Sequence, residues 1–159
     1  GAVEQRRRGL DPRLRALVAG QPGLELQPMG SNRRLAFYVD LEQFNQDLFP
    51  VIEAEGATVV LSDNRYFDVL PGGVNKGTTL LSLLEWLEAD HATVVTAGDT
   101  LNDLAMFETG LKGVMVGNAE SALVEQLPRL SGVYYAQGHG CQGIAEGLRH
   151  FGFGHLWAA

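Results

Sequence analysis

The sequence predicts an α/β protein in two parts, and the order of its apolar patterns carries this prediction. Up to about residue 71 the order is helix, strand, strand, helix, strand, strand, which is typical of an antiparallel sheet with helices on one face. From residue 72 onwards helices and strands alternate, which is typical of a parallel, doubly wound sheet. The run Pro71-Gly72-Gly73 predicts a hinge. We therefore expect an α+β domain over residues 1–71 and a parallel domain over residues 72–159.

The elements of the first part follow from caps, alternation and turn residues. Asp11-Pro12 predicts a helix start, because Asp is a favoured N-cap and Pro suits the first helical position. Pro50 falls inside the second predicted helix and should kink it or divide it in two. In order, we predict a helix over 11–20, a short extended segment over 23–29, a turn at 30–32, a strand over 34–40, a helix over 41–55, and strands over 57–61 and 65–70 joined by the turn Ser62-Asp63-Asn64.

The second part begins with a leucine-rich helix and continues as alternating strands and helices. Trp86 on the first helix is predicted to pack in the core. The predicted buried side of the same helix is formed by Leu80, Leu81, Leu84 and Leu87. We predict helices over 76–89, 101–109, 119–127 and 141–151, and strands over 92–97, 113–117 and 133–136.

The stretch from residue 93 to residue 107 carries the clearest chemical signal. A β-branched apolar run ends at Gly98 and predicts a strand that is buried on both faces. Asp99 follows where this parallel strand ends, at the edge where open α/β sheets place their ligands, and Asp103 lies in the first helical turn beyond it. Two acids held together repel each other, and a hard divalent cation such as Mg²⁺ would compensate them. The same residues also suit helix capping, and spacing alone does not decide between the two.

A second polar element precedes the leucine-rich helix. Lys76 lies at its predicted N-terminus, where the partial positive charge of a helix disfavours a cation. A lysine there is typical of a phosphate site, although an exposed lysine on a polar turn gives the same pattern. With Asn102 close by, we predict that Lys76 steadies a phosphoryl group while Asp99 and Asp103 hold the metal that neutralises its oxygens.

Composition and charge narrow the possible functions. The chain has a net charge of -7 and a pI of about 5.0, which argues against a nucleic-acid-binding surface. No apolar run approaches the roughly 20 residues of a membrane span, and no signal-peptide pattern is visible at the start. The single cysteine, Cys141, fits a reducing compartment. We expect a cytoplasmic protein without a nucleic-acid or membrane partner.

Two motifs resemble those of a known family. Asn75-Lys76-Gly77 and Gly98-Asp99-Thr100-Leu101-Asn102-Asp103 resemble the third and fourth motifs of the haloacid dehalogenase superfamily of phosphatases. Within that superfamily the chain is most similar to the sucrose-phosphate phosphatase group, over about residues 10–153. Four further stretches carry the resemblance, at residues 35–40, 67–71, 113–118 and 141–151.

The resemblance implies a Rossmann-like core with an inserted α+β cap, the cap being the residues up to about 71. It implies a Mg²⁺-dependent phosphomonoesterase that acts on a sugar phosphate, including a disaccharide phosphate such as sucrose 6-phosphate. An aspartate would attack phosphorus and form an aspartyl-phosphate, which water then hydrolyses. Lys76 would hold the phosphate and orient the nucleophile. Asp99 would be the main metal ligand, Asp103 would support the metal shell, and Asn102 would hydrogen-bond within the site.

The nucleophile of the resembled family is missing from this sequence. The family carries it in a strand followed by Asp-x-Asp, with a Ser/Thr motif after it, and both precede the cap. The nearest pattern here, Val39-Asp40-Leu41-Glu42, is predicted to end a cap strand instead. The chain therefore resembles the cap plus the C-terminal half of the core. We expect an N-terminal core segment of the same protein to supply the first strand, and we expect this polypeptide alone to be inactive.

Substrate recognition is expected from the cap, which closes over the site and excludes water. Candidates for binding sugar hydroxyls are Asn64, Arg65, Tyr66 and Asp68, although the turn residues among them also suit a solvated loop. Two other function classes stay open. One is a sugar-phosphate mutase of the same superfamily, and the other is a non-catalytic sugar-phosphate-binding domain fused to a glycosyltransferase.

Overall fold

Two separate β-sheets organise the chain, one in each of two units that divide between Asn75 and Lys76. The computed structural model describes residues 10–28 and 33–157, so the predicted turn at residues 30–32 lies outside the described residues. The first unit has an antiparallel sheet and the second a parallel one, as the order of the elements predicted. The α/β class is therefore confirmed.

In its described residues, the first unit has an antiparallel sheet and two α-helices. Asp11 caps the first helix, because its carboxylate accepts the Arg13 N–H at 2.8 Å, as the Asp-Pro pair predicted. The strand order is β1-β2-β4-β3. The elements are α1 (Pro12–Val18), β1 (Leu24–Leu26), β2 (Leu35–Val39), α2 (Leu48–Ala54), β3 (Ala57–Ser62) and β4 (Tyr66–Pro71).

Strands β2 and β4 have one buried face, and the opposite face is partly open, since Ala36 on that face is buried. Phe37 and Phe67, which are paired across the two strands, are buried together with Ile52 of α2. The rings of Phe44 and Phe49 each lie 5.3 Å from the ring of Phe67, so an aromatic cluster fills the centre of the core. The open face carries the side chains of opposite parity, Tyr38, Tyr66 and Asp68.

The β3–β4 hairpin closes through the predicted turn. Asp63 and Asn64 have φ angles of 52° and 47°, and Arg65 donates its N–H to the Ser62 carbonyl at 3.2 Å. Positive φ at both central residues defines a type I′ turn, whose twist matches that of the flanking strands. Asp and Asn tolerate this conformation better than other residues with a side chain. The turn residues therefore account for the register of the hairpin.

The predicted helix over residues 41–55 is wrong in its first half. The residues before Leu48 form turns, in which the Asp40 carboxylate accepts the Glu42 N–H at 3.0 Å. Local side-chain bonds of this kind compete with helix formation. Because the helix begins at Leu48, Pro50 lies in its first turn, where its missing N–H leaves no intrahelical bond unmade. The proline therefore marks the start of a helix, and Asp40 serves a turn after strand β2.

The second unit is a three-stranded parallel sheet with order β5-β6-β7. The carboxyl ends of its strands therefore meet at one edge. No helix that the structure describes is long and apolar enough to cross a membrane. The elements are α3 (Lys76–Trp86), β5 (Val95–Gly98), α4 (Leu104–Phe107), β6 (Lys112–Met115), α5 (Ser121–Val124), β7 (Val133–Tyr135) and α6 (Gly140–His150), with 3₁₀ turns at His91–Thr93, Leu101–Asp103, Leu127–Arg129 and Gly154–Trp157.

Strand β6 is covered on both faces. On one face, Phe107 of α4, Met115 of β6 and Leu123 of α5 form a buried cluster. On the other face α6 lies so close that a Cβ atom on Gly147 would be 2.2 Å from the Val114 side chain. A glycine is required there, because any side chain would push the helix away from the strand. The burial of this strand on both faces is that of an inner strand in a parallel sheet.

The predicted buried side of α3 is wrong in part. Leu84 is buried, but Leu81, Leu87 and Trp86 expose 36%, 55% and 79% of their surface. The helix packs against α4 on the side that carries Gly77 and Leu84. A leucine-rich sequence predicts that a helix has apolar sides, but it does not tell which of them this chain covers.

Candidate active site at the carboxyl edge of the parallel sheet

Strand β5 brings the predicted acids to the carboxyl edge of its sheet. The strand ends at Gly98, and the exposed Asp99 follows directly. Gly98 is sterically required, because a Cβ atom there would lie 2.5 Å from the Cβ of Asp103. The chain then passes through the 3₁₀ turn Leu101–Asp103 into α4. Asp103 therefore folds back against the end of the strand that precedes it.

Asp103 is buried and is engaged in local hydrogen bonds. Its side chain is 6% exposed. Its Oδ2 atom accepts the N–H of Asp99 at 3.0 Å and the N–H of Thr100 at 3.3 Å. Thr100 and Asp103 together form a capping box around the start of the 3₁₀ turn. The capping alternative therefore holds for this acid, and it uses one of the two carboxylate oxygens.

The second oxygen of Asp103 binds Lys76. The Nζ atom of Lys76 lies 2.5 Å from Asp103 Oδ1 and 2.5 Å from Asn102 Oδ1. The lysine side chain is 51% exposed, so its ammonium group lies between the buried carboxylate and solvent. An ammonium group has three N–H donors, and these two bonds use two of them. The structure thus brings together three of the four predicted catalytic side chains, because Lys76 binds both Asn102 and Asp103.

A close approach of two helices positions Lys76. It is the first residue of α3, and a Cβ atom on the next residue, Gly77, would lie 2.0 Å from the carbonyl oxygen of Ala105 in α4. Only glycine permits backbone contact of this kind. The first turn of α3 therefore lies directly against the first turn of α4, within reach of the acid that precedes α4.

Asp99 differs from Asp103 because it is exposed, and its carboxylate takes part in no hydrogen bond or ion pair within the part of the chain that the structure describes. An exposed carboxylate without a partner suits Mg²⁺, which binds oxygen ligands and keeps several waters. Within residues 10–28 and 33–157, no group of three or more His, Cys, Asp or Glu is placed to hold a metal ion. The described residues therefore fit a metal bound by Asp99 and supported by Asp103, with its other ligands coming from water, phosphate or another segment.

Two residues to which the sequence analysis gave no role hold the neighbouring loops. The Glu120 carboxylate accepts the Leu101 N–H, and the Glu120 N–H donates to the Asp99 carbonyl at 2.9 Å. Asn118 accepts the Gly140 N–H at 2.9 Å, which links the loops after β6 and β7. A polar run directly after a buried strand is the sequence signal that could have revealed both residues, because it repeats the pattern at Asp99.

Glu146 of α6 holds the loop after β7. Its carboxylate accepts the Tyr134 hydroxyl at 2.6 Å and also the N–H groups of Gln137 and Gly138. The bond from Tyr134, followed by those from the two N–H groups, holds the pKa of Glu146 below its ordinary value. The bond to this carboxylate raises the pKa of Tyr134. Glu146 therefore ties the loop after β7 to the helix that follows that strand.

Three of the four candidate sugar-binding residues of the first unit, Arg65, Tyr66 and Asp68, already have partners. Asp68 binds Arg34 through two bonds of 2.9 Å, so both of its oxygens are engaged. The Arg65 guanidinium lies 5.6 Å from the centre of the Tyr38 ring and 5.7 Å from that of the Tyr66 ring. These distances are those of cation–π contacts. A charged group and two aromatic rings are thus held together where β2 ends and β4 begins.

A cleft of about 610 Å³ opens at this end of the sheet. Tyr38 and Arg65 line it, together with Glu25 and Asp40. Asn64 lies at the exposed tip of the β3–β4 hairpin. Of the predicted sugar-binding residues, Arg65 lines the cleft. Tyr38 also lines it, although no role was predicted for Tyr38 from the sequence. Alternation along β2 could have indicated Tyr38, because it is the aromatic residue between two buried neighbours.

Comparison with known proteins assigns the chain to a family. The model of the family sucrose-6F-phosphate phosphohydrolase matches residues 9–152. The chain belongs to this family. The predicted resemblance to the sucrose-phosphate phosphatase group of the haloacid dehalogenase superfamily is therefore confirmed.

Relatives of this family member include a synthase and a phosphatase. The glucosylglycerol-phosphate synthase of Pseudomonas anguilliseptica is 44% identical over 131 residues, which are 82% of this chain and 17% of the relative. The mannosylfructose-phosphate phosphatase of Agrobacterium fabrum is 38% identical over 97 residues, which are 60% of this chain and 39% of the relative. The matched part of the chain thus spans less than half of the length of either relative.

Solved structures of other proteins share the fold of this chain. The sucrose-phosphatase of Synechocystis sp. PCC6803, in complex with sucrose and phosphate, has a TM-score of 0.82 at 26% identity, and the match covers 94% of this chain and 64% of that one. A phosphatase of the haloalkanoate superfamily from Bacteroides thetaiotaomicron, at 24% identity and a TM-score of 0.60, shows the same fold. The predicted fold class, a Rossmann-like core with an α+β cap, is confirmed.

Proposed function

We propose that the chain supplies the cap and the C-terminal half of the core of a Mg²⁺-dependent phosphomonoesterase that hydrolyses a sugar phosphate. The observation that carries the proposal is the convergence of Lys76 on Asn102 and on the buried Asp103, next to the exposed Asp99. A cation and an unpaired carboxylate at the carboxyl edge of a parallel sheet suit a phosphate ester and the metal bound to it. Membership of a phosphohydrolase family supports the same reaction class.

Lys76 would bind the phosphate and orient the attacking group. Two of its three N–H donors are used by Asn102 and Asp103, which leaves one donor for a phosphate oxygen. Those two bonds also fix the direction of the ammonium group, so little rotamer freedom is lost when the phosphate binds. The buried carboxylate holds the lysine in place.

Asp99 would hold the metal, and Asp103 would support it. Bound there, Mg²⁺ would neutralise charge on the phosphate oxygens. Asp103 accepts the N–H groups of Asp99 and Thr100, so it fixes the backbone from which the Asp99 carboxylate extends. The two acids thus have separate tasks, one as a ligand and the other as the anchor of that ligand and of Lys76.

The nucleophile, in this proposal, belongs to an N-terminal core segment of the same protein outside these 159 residues. An aspartate oxygen of that segment would bond to phosphorus while the bond from phosphorus to the sugar oxygen breaks. Water would then attack the aspartyl-phosphate, which releases phosphate and restores the carboxylate. Asp40 is not a substitute, because its carboxylate is engaged by Glu42 and Gln43 in a turn. The 159-residue chain alone should have no turnover.

The cap would select the sugar. Arg65, held over two tyrosine rings, offers N–H donors next to aromatic surface, and the Arg34–Asp68 pair adds a second charged group on the open face. Such a combination suits the hydroxyl groups and apolar faces of a sugar. A relative named for mannosylfructose phosphate and a structure holding sucrose and phosphate support a disaccharide phosphate such as sucrose 6-phosphate. The proposed sugar-binding residues are Asn64, Arg65, Tyr66 and Asp68.

A second candidate function is favoured by one comparison. The relative at 44% identity is a glucosylglycerol-phosphate synthase, and the matched residues are 17% of its length. This supports a domain of the phosphatase type that is fused to a glycosyltransferase. In such a protein the Lys76 site would bind a sugar phosphate without hydrolysing it.

We also propose a cytoplasmic location, because the thiol of Cys141 is free and exposed.

The test is phosphate release by the polypeptide encoded by the complete reading frame, with sucrose 6-phosphate and other sugar phosphates as substrates. We expect release that requires Mg²⁺, stops on addition of EDTA and returns when Mg²⁺ is restored. Lys76→Met should lower kcat at least about 100-fold, because it removes the cation at the phosphate. Lys112→Met is the matched control, since that lysine lies at the opposite, amino end of strand β6. It should leave kcat within about twofold, as expected for a surface change remote from the site.

Other results would point elsewhere. Binding of the sugar phosphate without turnover by the complete polypeptide would favour the fused, non-catalytic domain. An isomerised sugar phosphate without free phosphate would identify a mutase. Mg²⁺-dependent hydrolysis by the 159-residue chain alone would contradict the assignment of the nucleophile to another segment.

A further inference from the structure

The exposed carboxylate of Asp99 depends on the loop that carries it. No described residue binds this carboxylate, so its position is set by the backbone alone. The loop runs from the end of β5 at Gly98 to the 3₁₀ turn Leu101–Asp103. A short loop keeps one conformation where its N–H and C=O groups are bound. The partners of these backbone groups therefore decide where the Asp99 carboxylate lies.

Two acids hold the backbone of this loop. Asp103 accepts the N–H groups of Asp99 and Thr100. Glu120 accepts the Leu101 N–H with its carboxylate, and its own N–H donates to the Asp99 carbonyl at 2.9 Å. Glu120 therefore binds both of the peptide groups that flank Thr100, one through its side chain and the other through its backbone.

Glu120 is itself held by the start of α5. It is the N-cap residue of that helix, and its carbonyl accepts the N–H groups of Leu123 at 3.0 Å and Val124 at 3.1 Å. Leu123 is completely buried, so this helix start is anchored in the core. Glutamate is not a favoured N-cap residue, and the side chain of Glu120 makes no cap bond to its own helix. Its carboxylate binds the neighbouring loop instead.

Glu120 is not placed as a third ligand of the proposed metal. Within residues 10–28 and 33–157, no three acids converge on one ion, and this includes the set Asp99, Asp103 and Glu120. The carboxylate of Glu120 is engaged by a backbone N–H group in the loop. An effect of Glu120 on the metal would therefore pass through the loop that carries Asp99.

We propose that Glu120 is a positioning residue, which holds the Asp99 loop in the conformation that binds the metal ion. This inference rests on the proposed function, in which Asp99 is the main metal ligand. Partners that orient a metal ligand commonly set the affinity for the metal, because they fix the ligand before the ion arrives. Without the bond from Glu120 to Leu101, binding of the ion would also have to order the loop.

The first test measures binding of Mn²⁺ by electron paramagnetic resonance to the polypeptide encoded by the complete reading frame. Mn²⁺ is the probe, because it shares the preference of Mg²⁺ for oxygen ligands. Glu120→Ala should raise the Kd at least about tenfold. Glu120→Gln should keep it within about threefold, since an amide oxygen still accepts the Leu101 N–H. Glu125→Ala is the matched control, which removes an exposed carboxylate at the end of α5 and should leave the Kd unchanged.

Kinetics distinguish positioning from a loss of folded protein. In Glu120→Ala, the Mg²⁺ concentration that gives half of the maximal rate of phosphate release should rise at least about tenfold. At saturating Mg²⁺, kcat and the KM for the sugar phosphate should return to within about threefold of the wild type, because the variant weakens binding of the ion and not the chemical step. Circular dichroism checks that the variant is folded at the assay temperature.

A second variant breaks the same bond from the donor side and serves even if Glu120→Ala does not fold. Leu101→Pro removes the N–H group that Glu120 accepts. Proline fits there, because Leu101 is the first residue of the 3₁₀ turn and Thr100 before it is extended, with φ of -127° and ψ of 164°. The Kd for Mn²⁺ should rise as in Glu120→Ala. The double variant should be no more than about threefold weaker than either single variant, since both remove one interaction.

Three results would overturn the proposal. One is an unchanged Kd for Mn²⁺ in Glu120→Ala, and another is equal weakening by Glu120→Gln, which would assign the effect to charge. The third is a double variant in which the two separate effects multiply. A wild type that hydrolyses sugar phosphates while Glu120→Ala binds Mn²⁺ normally would leave the proposed function intact. Conversely, Mn²⁺ binding that depends on Glu120 in a polypeptide without hydrolysis would contradict the proposed function alone.

Discussion

At the scale of single residues, the fold gives different environments to two identical side chains four positions apart. Asp103 is buried, and its oxygens accept two backbone N–H groups and the Lys76 ammonium. Asp99 is exposed, and no described residue binds its carboxylate. One acid is therefore engaged inside the fold and the other is open to solvent, a difference that the spacing of the acids did not reveal.

Replacement of each acid in turn should show that Asp103 contributes more to the free energy of unfolding than Asp99 does. Asp103→Asn should lower the free energy of unfolding by about 1–3 kcal/mol, because an amide keeps only one acceptor oxygen. Either the two backbone N–H groups or the Lys76 ammonium then faces an NH₂ group instead of an acceptor. Asp99→Asn should change the free energy of unfolding by less than about 0.5 kcal/mol. Urea denaturation of both variants is the measurement. Equal stability of the two variants would show that the bonds of Asp103 contribute little to folding.

Glu146 predicts a specific dependence of stability on pH. Its pKa in the folded protein lies below the ordinary value of 4.5, chiefly because of the bond from Tyr134. Its contribution to the free energy of unfolding is therefore complete above pH 4.5 and is lost as the pH falls through the folded-state pKa. Glu146→Gln should remove this loss, so its curve of Tm against pH should be flatter below pH 4.5 than that of the wild type.

Glu125→Gln is the control for this measurement. Glu125 is exposed at the end of α5, and the substitution removes one carboxylate of the same unit without touching the loop after β7. This control variant should show the same slope of Tm against pH below pH 4.5 as the wild type. If both variants flattened the curve equally, the slope would reflect total charge and not the bonds of Glu146.

At the scale of elements, glycines decide where helices approach their neighbours. Gly77 brings the start of α3 against α4, and Gly147 brings α6 against β6. Each contact is one that any side chain would block. The site depends on the first of these contacts, because Lys76 reaches Asp103 from the first turn of α3. A sequence shows where such glycines are but not which backbone they touch.

Gly77→Ala should therefore damage both stability and the site. Its Cβ would lie 2.0 Å from a backbone carbonyl oxygen that has little room to move. We expect the free energy of unfolding to fall by about 1–3 kcal/mol, the usual cost of overpacking. Thr79→Ala, at an exposed position of the same helix, should be neutral or slightly stabilising. Guanidinium denaturation measures both variants, and a Gly77→Ala variant as stable as Thr79→Ala would contradict the close contact.

At the scale of the whole molecule, the described residues form two hydrophobic cores, one in each unit. The first contains Ile52 and the second contains Leu123, and both residues are completely buried. A unit with its own sheet and its own core can unfold as a cooperative body. We therefore expect the chain to unfold in two transitions, one for each unit.

Truncation of a side chain in either core should lower the free energy of unfolding of the unit that contains it. Ile52→Ala and Leu123→Ala should each cost about 2–5 kcal/mol in the unit that carries them, because they leave cavities at fully buried positions. Hydrogen exchange read by mass spectrometry follows both units at once. Equal loss of protection in both units for either variant would show instead that the chain unfolds as one body.

Local patterns were sufficient for much of the fold and for part of the site. The Asp-Pro helix start, the hairpin turn at Asp63-Asn64 and the alternation of the second unit all depend on neighbouring residues, and the structure confirms them. The motifs around Lys76 and Asp99 were sufficient for the family, since its chemistry fixes residue types at short spacings. The start of α2 was misplaced because side chains such as that of Asp40 compete locally with helical bonds.

By itself, the sequence determined the class of the fold and the family, because these follow from periodicity, caps and motifs. It also predicted the residues for phosphate chemistry. Only the tertiary structure decided which acid binds Lys76 and which stays open to solvent, because the bend after β5 buries one carboxylate and exposes the other. It also decided that Leu83, Trp86 and Leu87 stay exposed. Burial depends on what packs against a helix, and that is a property of distant parts of a chain and not of the helix itself.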